Sequence, residues 1–129
     1  MSNHGVDMES IHNPEKNLER VMKAIGLSDM PESNKDILKR FHDECFSNNL
    51  SPTRVYFYMD RLYRLSKTLN KNFMKASKEE LKSIIGDINK NKNYSEWTKH
   101  DYKVALRKLY QWLEGNEWNS KNILKGYHG

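Results

Sequence analysis

Apolar residues recur at the spacing of an α-helix in five stretches of this chain, and residues 51–71 give the clearest case. Successive apolar positions there are three or four residues apart, which places them on one side of a helix. They are Val55, Tyr58, Leu62, Leu65 and Leu69. Ser51 and Pro52 mark the start, because serine caps a helix and proline has no N–H to leave unpaired at the first helical position. The pattern predicts a helix with one buried side.

The same spacing predicts four further helices, at residues 14–25, 34–48, 77–88 and 95–114. In chain order the five are α1 to α5, so the helix over 51–71 is α3. Asn34 is the expected N-cap of α2, and Ser77 with Glu80 fits a capping box before α4. Gly26 and Gly115 are the expected residues at which α1 and α5 end.

Short polar connections between the helices, with no convincing strand, predict an all-α fold. Residues 34–115 are expected to form a four-helix bundle from α2 to α5. Residues 1–33 are expected to be an N-terminal extension that carries the extra helix α1, and residues 116–129 a linker or tail. Both ends of the chain lack strong periodicity and are expected to be flexible.

The bulk composition suits one polar domain of 129 residues, with 36% hydrophobic and 30% charged side chains. No run of about 18 apolar residues would span a membrane, and no secretion signal precedes the helices. The single cysteine, Cys45, suits a reducing compartment. We therefore expect a cytoplasmic protein.

Positive charge is concentrated in the helical centre. The net charge is +5 overall, but −3 over residues 1–33 and +7 over residues 34–115. A basic domain with an amphipathic basic helix is a candidate for nucleic-acid binding. Charge alone leaves open the alternative of a soluble, lysine-rich surface.

Residue patterns for catalysis are absent from the sequence. His42 and Cys45 have a spacing that could place both on a metal, but no second pair accompanies them, and Cys45 lies on the apolar stripe of α2. A buried structural thiol is the favoured interpretation. There is no metal-ligand motif, glycine-rich phosphate loop or recognisable nucleophile with its base. We therefore propose no catalytic residue, metal or cofactor.

Basic positions lie beside the apolar stripes of α3 and α5, and hydroxyl residues lie at the start of each helix. Arginine, lysine and hydroxyls at helix N-termini are the usual phosphate contacts. The candidate DNA-binding residues are Ser51, Thr53, Arg54, Arg61, Arg64, Lys67, Thr98, Lys99, Lys103 and Arg107. Solvated surface charge and plain helix capping remain alternatives for these positions.

A distributed set of hydrophobic and turn residues extends from residue 34 to residue 115. It comprises Asn34, Lys35, Ile37, Leu38, Phe41, residues 50–54, Tyr58, Leu62, Leu69, Lys71, Phe73, Ala76, Ser77, Glu80, Thr98, residues 101–103, Ala105, Leu106 and residues 110–115. This set resembles the SAM-like N-terminal core-binding domain of tyrosine recombinases, the phage-integrase family, and especially of archaeal integrases. The resemblance covers about two thirds of the chain and rests on no single diagnostic motif.

The resemblance implies a four-helix bundle that forms half of a clamp around duplex DNA at a recombination half-site, with α3 and α5 across the major groove. It implies a separate C-terminal catalytic domain that performs strand transfer through a tyrosine, other recombinase protomers as partners, and a location at the nucleoid. Tyr127 is not expected to be that tyrosine, because its catalytic partners are missing. Two alternatives stay open: a stand-alone DNA-binding regulator of a mobile element, and a helical protein-interaction domain.

Overall fold

The structure, a computed structural model, describes residues 13–115. Over that range the chain is helical and contains no strand, which confirms the all-α prediction for this part of the protein. The elements are α1 (Pro14–Leu27), α2 (Glu32–Ser47), α3 (Pro52–Leu69), a 3-10 turn (Phe73–Lys75), α4 (Lys78–Lys90) and α5 (Glu96–Gly115). Predictions for residues 1–12 and 116–129, including the flexible ends and Tyr127, lie outside the described residues. No helix between residues 13 and 115 is both long and apolar enough to cross a membrane.

Helix α3 is the central element, and each of the other four helices packs against it. Its predicted apolar stripe is buried at four positions and half-buried at Leu69. The buried members are Val55, Tyr58, Leu62 and Leu65. Only the side of α3 that points away from this stripe reaches the surface.

Helix α1 shares the hydrophobic core with α3. Its buried residues, Leu18, Val21 and Ile25, belong to the same cluster as the apolar stripe of α3. Burying one such side chain is worth about 1.5–3 kcal/mol, so three of them fix the helix firmly. Within the described residues, α1 of the predicted extension therefore packs on the core of residues 34–115.

Asn34 is not the N-cap of α2, as the sequence had suggested. The helix begins two residues earlier, at Glu32, directly after Pro31. Asn34 is instead fully buried: its Nδ2 donates to the Lys71 carbonyl at 2.9 Å, and its Oδ1 accepts from the Phe73 N–H at 2.8 Å. A buried amide needs such partners, and here it ties α2 to the loop that follows α3.

The other predicted helix ends have mixed outcomes. Ser51 caps α3 by accepting from the Arg54 N–H at 3.2 Å, and the Ser77–Glu80 capping box is complete. The prediction that Gly26 ends α1 is wrong, because the helix continues to Leu27 and the hydroxyl of the next residue, a serine, bonds back to a carbonyl in its last turn.

Candidate nucleic-acid interface

The exposed side of α3 lies between two grooves. The groove between α1 and α3 is lined by Arg20, Tyr56, Asp60, Tyr63, Arg64 and Lys67, among others. The groove between α3 and α5 is lined by Arg54, Phe57, Tyr58, Trp97, His100, Asp101 and Val104. We call this surface the α3 face and define it by eight residues that are cationic or aromatic: Arg20, Arg54, Phe57, Arg61, Arg64, Lys67, Trp97 and His100.

Asp60 connects the two grooves. This buried carboxylate accepts from Arg61 Nη1 at 2.8 Å and from Arg64 Nε at 3.1 Å. Arg61 Nη2 then lies 3.8 Å from the Asp101 carboxylate on α5. The result is a charge network that runs across α3 and joins it to α5.

Arg61 is enclosed within this network. Its guanidinium carbon lies 5.4 Å from the Phe57 ring centre and 5.7 Å from the Tyr102 ring centre, and only 19% of its side chain is exposed. Burial, followed by the neighbouring Tyr94, raises the pKa of Tyr102 to about 12, so that ring is neutral at physiological pH. Arg61 has little surface left for a phosphate, and its predicted DNA contact stays a prediction.

Three other cations of α3 reach solvent. Arg64 is 61% exposed and uses Nε to bind Asp60, which leaves its terminal nitrogens for an outside acceptor. The hydrogen bond that Arg64 donates to Asp60 raises the pKa of Arg64. Lys67 Nζ lies 4.4 Å from the Tyr63 ring centre, and Arg54 is exposed with no ion pair among residues 13–115. These side chains have the geometry to bind phosphates.

The predicted basic residues of α5 do not join the α3 face. Lys99 Nζ donates to the Asn89 carbonyl at 2.9 Å, and Lys103 Nζ donates to the Asn89 side chain at 3.0 Å. Both cations therefore lie at the carboxyl end of α4, where the helix dipole favours positive charge. Asp101, which faces Arg61, is two positions from each lysine and so about 200° around the helix. The two basic stripes point in different directions, and Arg107 is exposed on α5.

Of the predicted hydroxyl residues, Ser51 and Thr98 take part in helix capping. Ser51 caps α3, and the Ser95 hydroxyl accepts from the Thr98 N–H and donates to Thr98 Oγ1, both at 3.1 Å. Thr53 lies half-buried in the first turn of α3. Capping thus accounts for the two serines, and phosphate contacts by Ser51, Thr53 or Thr98 remain predictions.

Four members of the α3 face are absent from the predicted DNA contacts: Arg20, Phe57, Trp97 and His100. Arg20 was overlooked because α1 was expected outside the bundle, yet it lies in the groove beside Arg64. Trp97, 77% exposed, and His100 were overlooked because the prediction for α5 considered lysine, arginine and hydroxyl residues. The available signal was the spacing of Trp97, which is three residues from His100 and four from Asp101.

No group of three or more potential metal ligands exists between residues 13 and 115. His42 Nδ1 lies 2.9 Å from the Asp43 carboxylate, and its ring meets that of Phe46 edge-on. Cys45 is buried, which is the main reason that its pKa is raised to about 11. A thiol held in its protonated form is a poor metal ligand and a poor nucleophile.

A scan of this chain against protein-family models finds no match, and searches of curated proteins and of solved structures find none either.

Proposed function

We propose that this chain is a DNA-binding module, the core-binding domain of a site-specific tyrosine recombinase or integrase. In this proposal α2 to α5 form the SAM-like four-helix bundle and α1 widens its DNA-binding side. A separate catalytic domain and further recombinase protomers would complete the assembly at the nucleoid. The observation that supports it is the α3 face, where exposed cations lie beside exposed aromatic rings.

The spacing of the exposed arginines suits duplex DNA. Arg54 and Arg64 are ten residues apart, which is about 15 Å along a helix. The major groove is about 12 Å wide. A helix lying over the groove would therefore bring one arginine near each phosphate backbone. Lys67 and Arg20 would extend the contact on the side of α1.

The test is fluorescence anisotropy with a labelled duplex of about 20 base pairs at several salt concentrations. Neutralising about five phosphates gives a slope of log affinity against log salt of roughly −4 to −5. Arg54→Ala and Arg64→Ala should each weaken binding and reduce the slope by about one. Arg40→Ala is the matched control, because Arg40 is exposed on α2 and paired with Asp36 away from both grooves.

Lys103→Ala tells which side of α5 meets DNA. If DNA binds the α3 face, this substitution changes affinity little. A large effect of Lys103→Ala with none of Arg64→Ala would move the interface to the α4 side. Absence of binding even at low salt would refute the proposal and favour a helical protein-interaction domain, whose complexes would be insensitive to salt. Whether the native gene continues into a catalytic domain separates the recombinase from a stand-alone regulator.

A further inference from the structure

We propose that Trp97 stacks on an unpaired DNA base, so that the α3 face prefers DNA with unstacked bases to a fully paired duplex. This inference rests on the proposed function, because it names the form of DNA that the same surface would bind best.

The exposure of Trp97 is the first observation. The indole lies in the first turn of α5 and is 77% exposed, although large aromatic side chains are normally buried. Within residues 13–115, the Trp97 ring meets the His100 ring edge-on, with 6.4 Å between the ring centres. An exposed tryptophan of this kind is a flat apolar surface available to a partner.

The surroundings of Trp97 are the second observation. It shares its groove with Phe57, itself 37% exposed, and with Arg54, a cation without an ion pair among residues 13–115. Asp101 is the acid in this groove, and its charge is opposed by Arg61 at 3.8 Å. The groove thus combines aromatic surface with an uncompensated positive charge. A nucleotide is complementary to both, with its base against the rings and its phosphate at the arginine.

The state of the DNA follows from the chemistry of stacking. In an intact duplex both faces of every base are covered by neighbouring bases, and only the base edges are open in the grooves. An indole can cover a base face only where that base has left the stack. The energy needed to unstack a base is least where pairing is already absent. Trp97 therefore favours mismatched, bulged or single-stranded positions.

The experiment compares two labelled duplexes of equal length and charge at one salt concentration. One is fully paired, and the other has three consecutive central thymine–thymine mismatches. The wild-type chain should bind the mismatched duplex about tenfold more tightly, which corresponds to about 1.4 kcal/mol. Trp97→Ala should abolish the preference, so that the variant binds the two duplexes with equal affinity, while Trp97→Phe should keep part of the preference.

Leu27→Ala is the control for loss of exposed apolar surface. Leu27 is 79% exposed, close to the 77% of Trp97, but lies at the end of α1 outside both grooves. Its substitution should leave the preference unchanged. Intrinsic tryptophan fluorescence gives a second readout, because stacking on a base should quench the wild-type signal and leave the signal of Trp97→Phe unquenched.

The outcomes separate the inference from the proposed function. Salt-dependent binding of both duplexes with equal affinity would overturn the inference and leave the proposed function standing. Equal weakening of both by Trp97→Ala would also overturn it, since Trp97 would then be a general contact. Failure to bind either duplex would refute both.

Discussion

Substituting Asp60 by asparagine should lower stability and strengthen DNA binding at once. The carboxylate balances the charges of Arg61 and Arg64 within the α3 face. Asparagine has the same shape but no charge, so the substitution leaves Arg64 without its charged partner and leaves Arg61 with Asp101 alone, at 3.8 Å. A residue that serves only the fold would not produce opposite changes in the two quantities.

The loss of stability follows from the two hydrogen bonds to Asp60. A hydrogen bond to a charged group contributes about 1.5–3 kcal/mol, and a neutral acceptor about half of that. Most of the lost stability comes from the bond to Arg61, because that side chain is only 19% exposed. The bond to Arg64 contributes less, because Arg64 is 61% exposed and water replaces much of the interaction. We expect a loss of about 1–2 kcal/mol, out of about 5–15 kcal/mol for a typical domain.

The gain in DNA affinity follows from removing one negative charge. A carboxylate about 7 Å from a phosphate repels it by about 0.6 kcal/mol in water. Removing it should therefore tighten binding to duplex DNA nearly threefold at low salt. The gain should fade as salt rises, because screening weakens the repulsion that was removed.

Urea unfolding followed by circular dichroism, and anisotropy with the same duplex, measure the two effects. With a slope of about 2 kcal/mol per molar urea, the midpoint should fall by about 0.5–1 M. Asp87→Asn is the matched control, since Asp87 is 65% exposed and 3.9 Å from Lys90 on α4; it should change stability by less than about 0.5 kcal/mol. Unchanged stability in Asp60→Asn would disprove the network, and weaker DNA binding by a folded variant would place DNA elsewhere.

Two further predictions concern buried groups outside the α3 face. Asn34→Ala should lower the free energy of unfolding in urea by about 2–4 kcal/mol, because it leaves the Phe73 N–H buried without its acceptor. The control is Ser33→Ala, which removes an exposed hydrogen bond in the same region and should cost under about 0.5 kcal/mol. Equal costs for the two substitutions would refute the structural role of the buried Asn34 amide. Cys45 should react slowly with an aromatic disulfide reagent at pH 8 and rapidly in urea. Burial raises the pKa of the Cys45 thiol from 9.0 to about 11 in the folded chain. The contribution of this thiol to stability should therefore decline as pH rises through that interval. Fast reaction of the folded chain with the reagent would contradict the burial of Cys45.

The positions of the helices could be predicted from sequence because each has its own apolar period. The period does not depend on what covers the helix, so α3 and α5 were found nearly to the residue. Asn34 was misplaced because its partners, Lys71 and Phe73, belong to a loop almost forty positions away. A local capping rule has no information about such long-range bonds.

The candidate site was predicted only in part, for a related reason. Periodicity tells which residues share one side of a helix, but not which neighbouring element that side meets. Lys99 and Lys103 meet the end of α4, and Arg61 meets α5, so three predicted phosphate contacts have partners inside the protein. Arg64 remains open to an outside acceptor, because its side chain is 61% exposed and only its Nε binds Asp60 within residues 13–115.

Asp60 explains how a helix this basic can lie at the centre of the fold. Arg61, Arg64 and Lys67 follow one another within two turns of α3, and Arg20 of α1 lines the same groove. Like charges at this spacing repel one another and oppose the packing of α1 on α3. A buried carboxylate among them offsets that repulsion from the inner side, while the exposed guanidinium of Arg64 keeps its outer nitrogens for a ligand. Asp60 neutralises part of this positive charge from the inner side. If the α3 face binds DNA, the phosphates would neutralise the rest from the solvent side. Stability of the free chain and affinity for DNA would then be opposed at this residue, which is why both must be measured on the same variant.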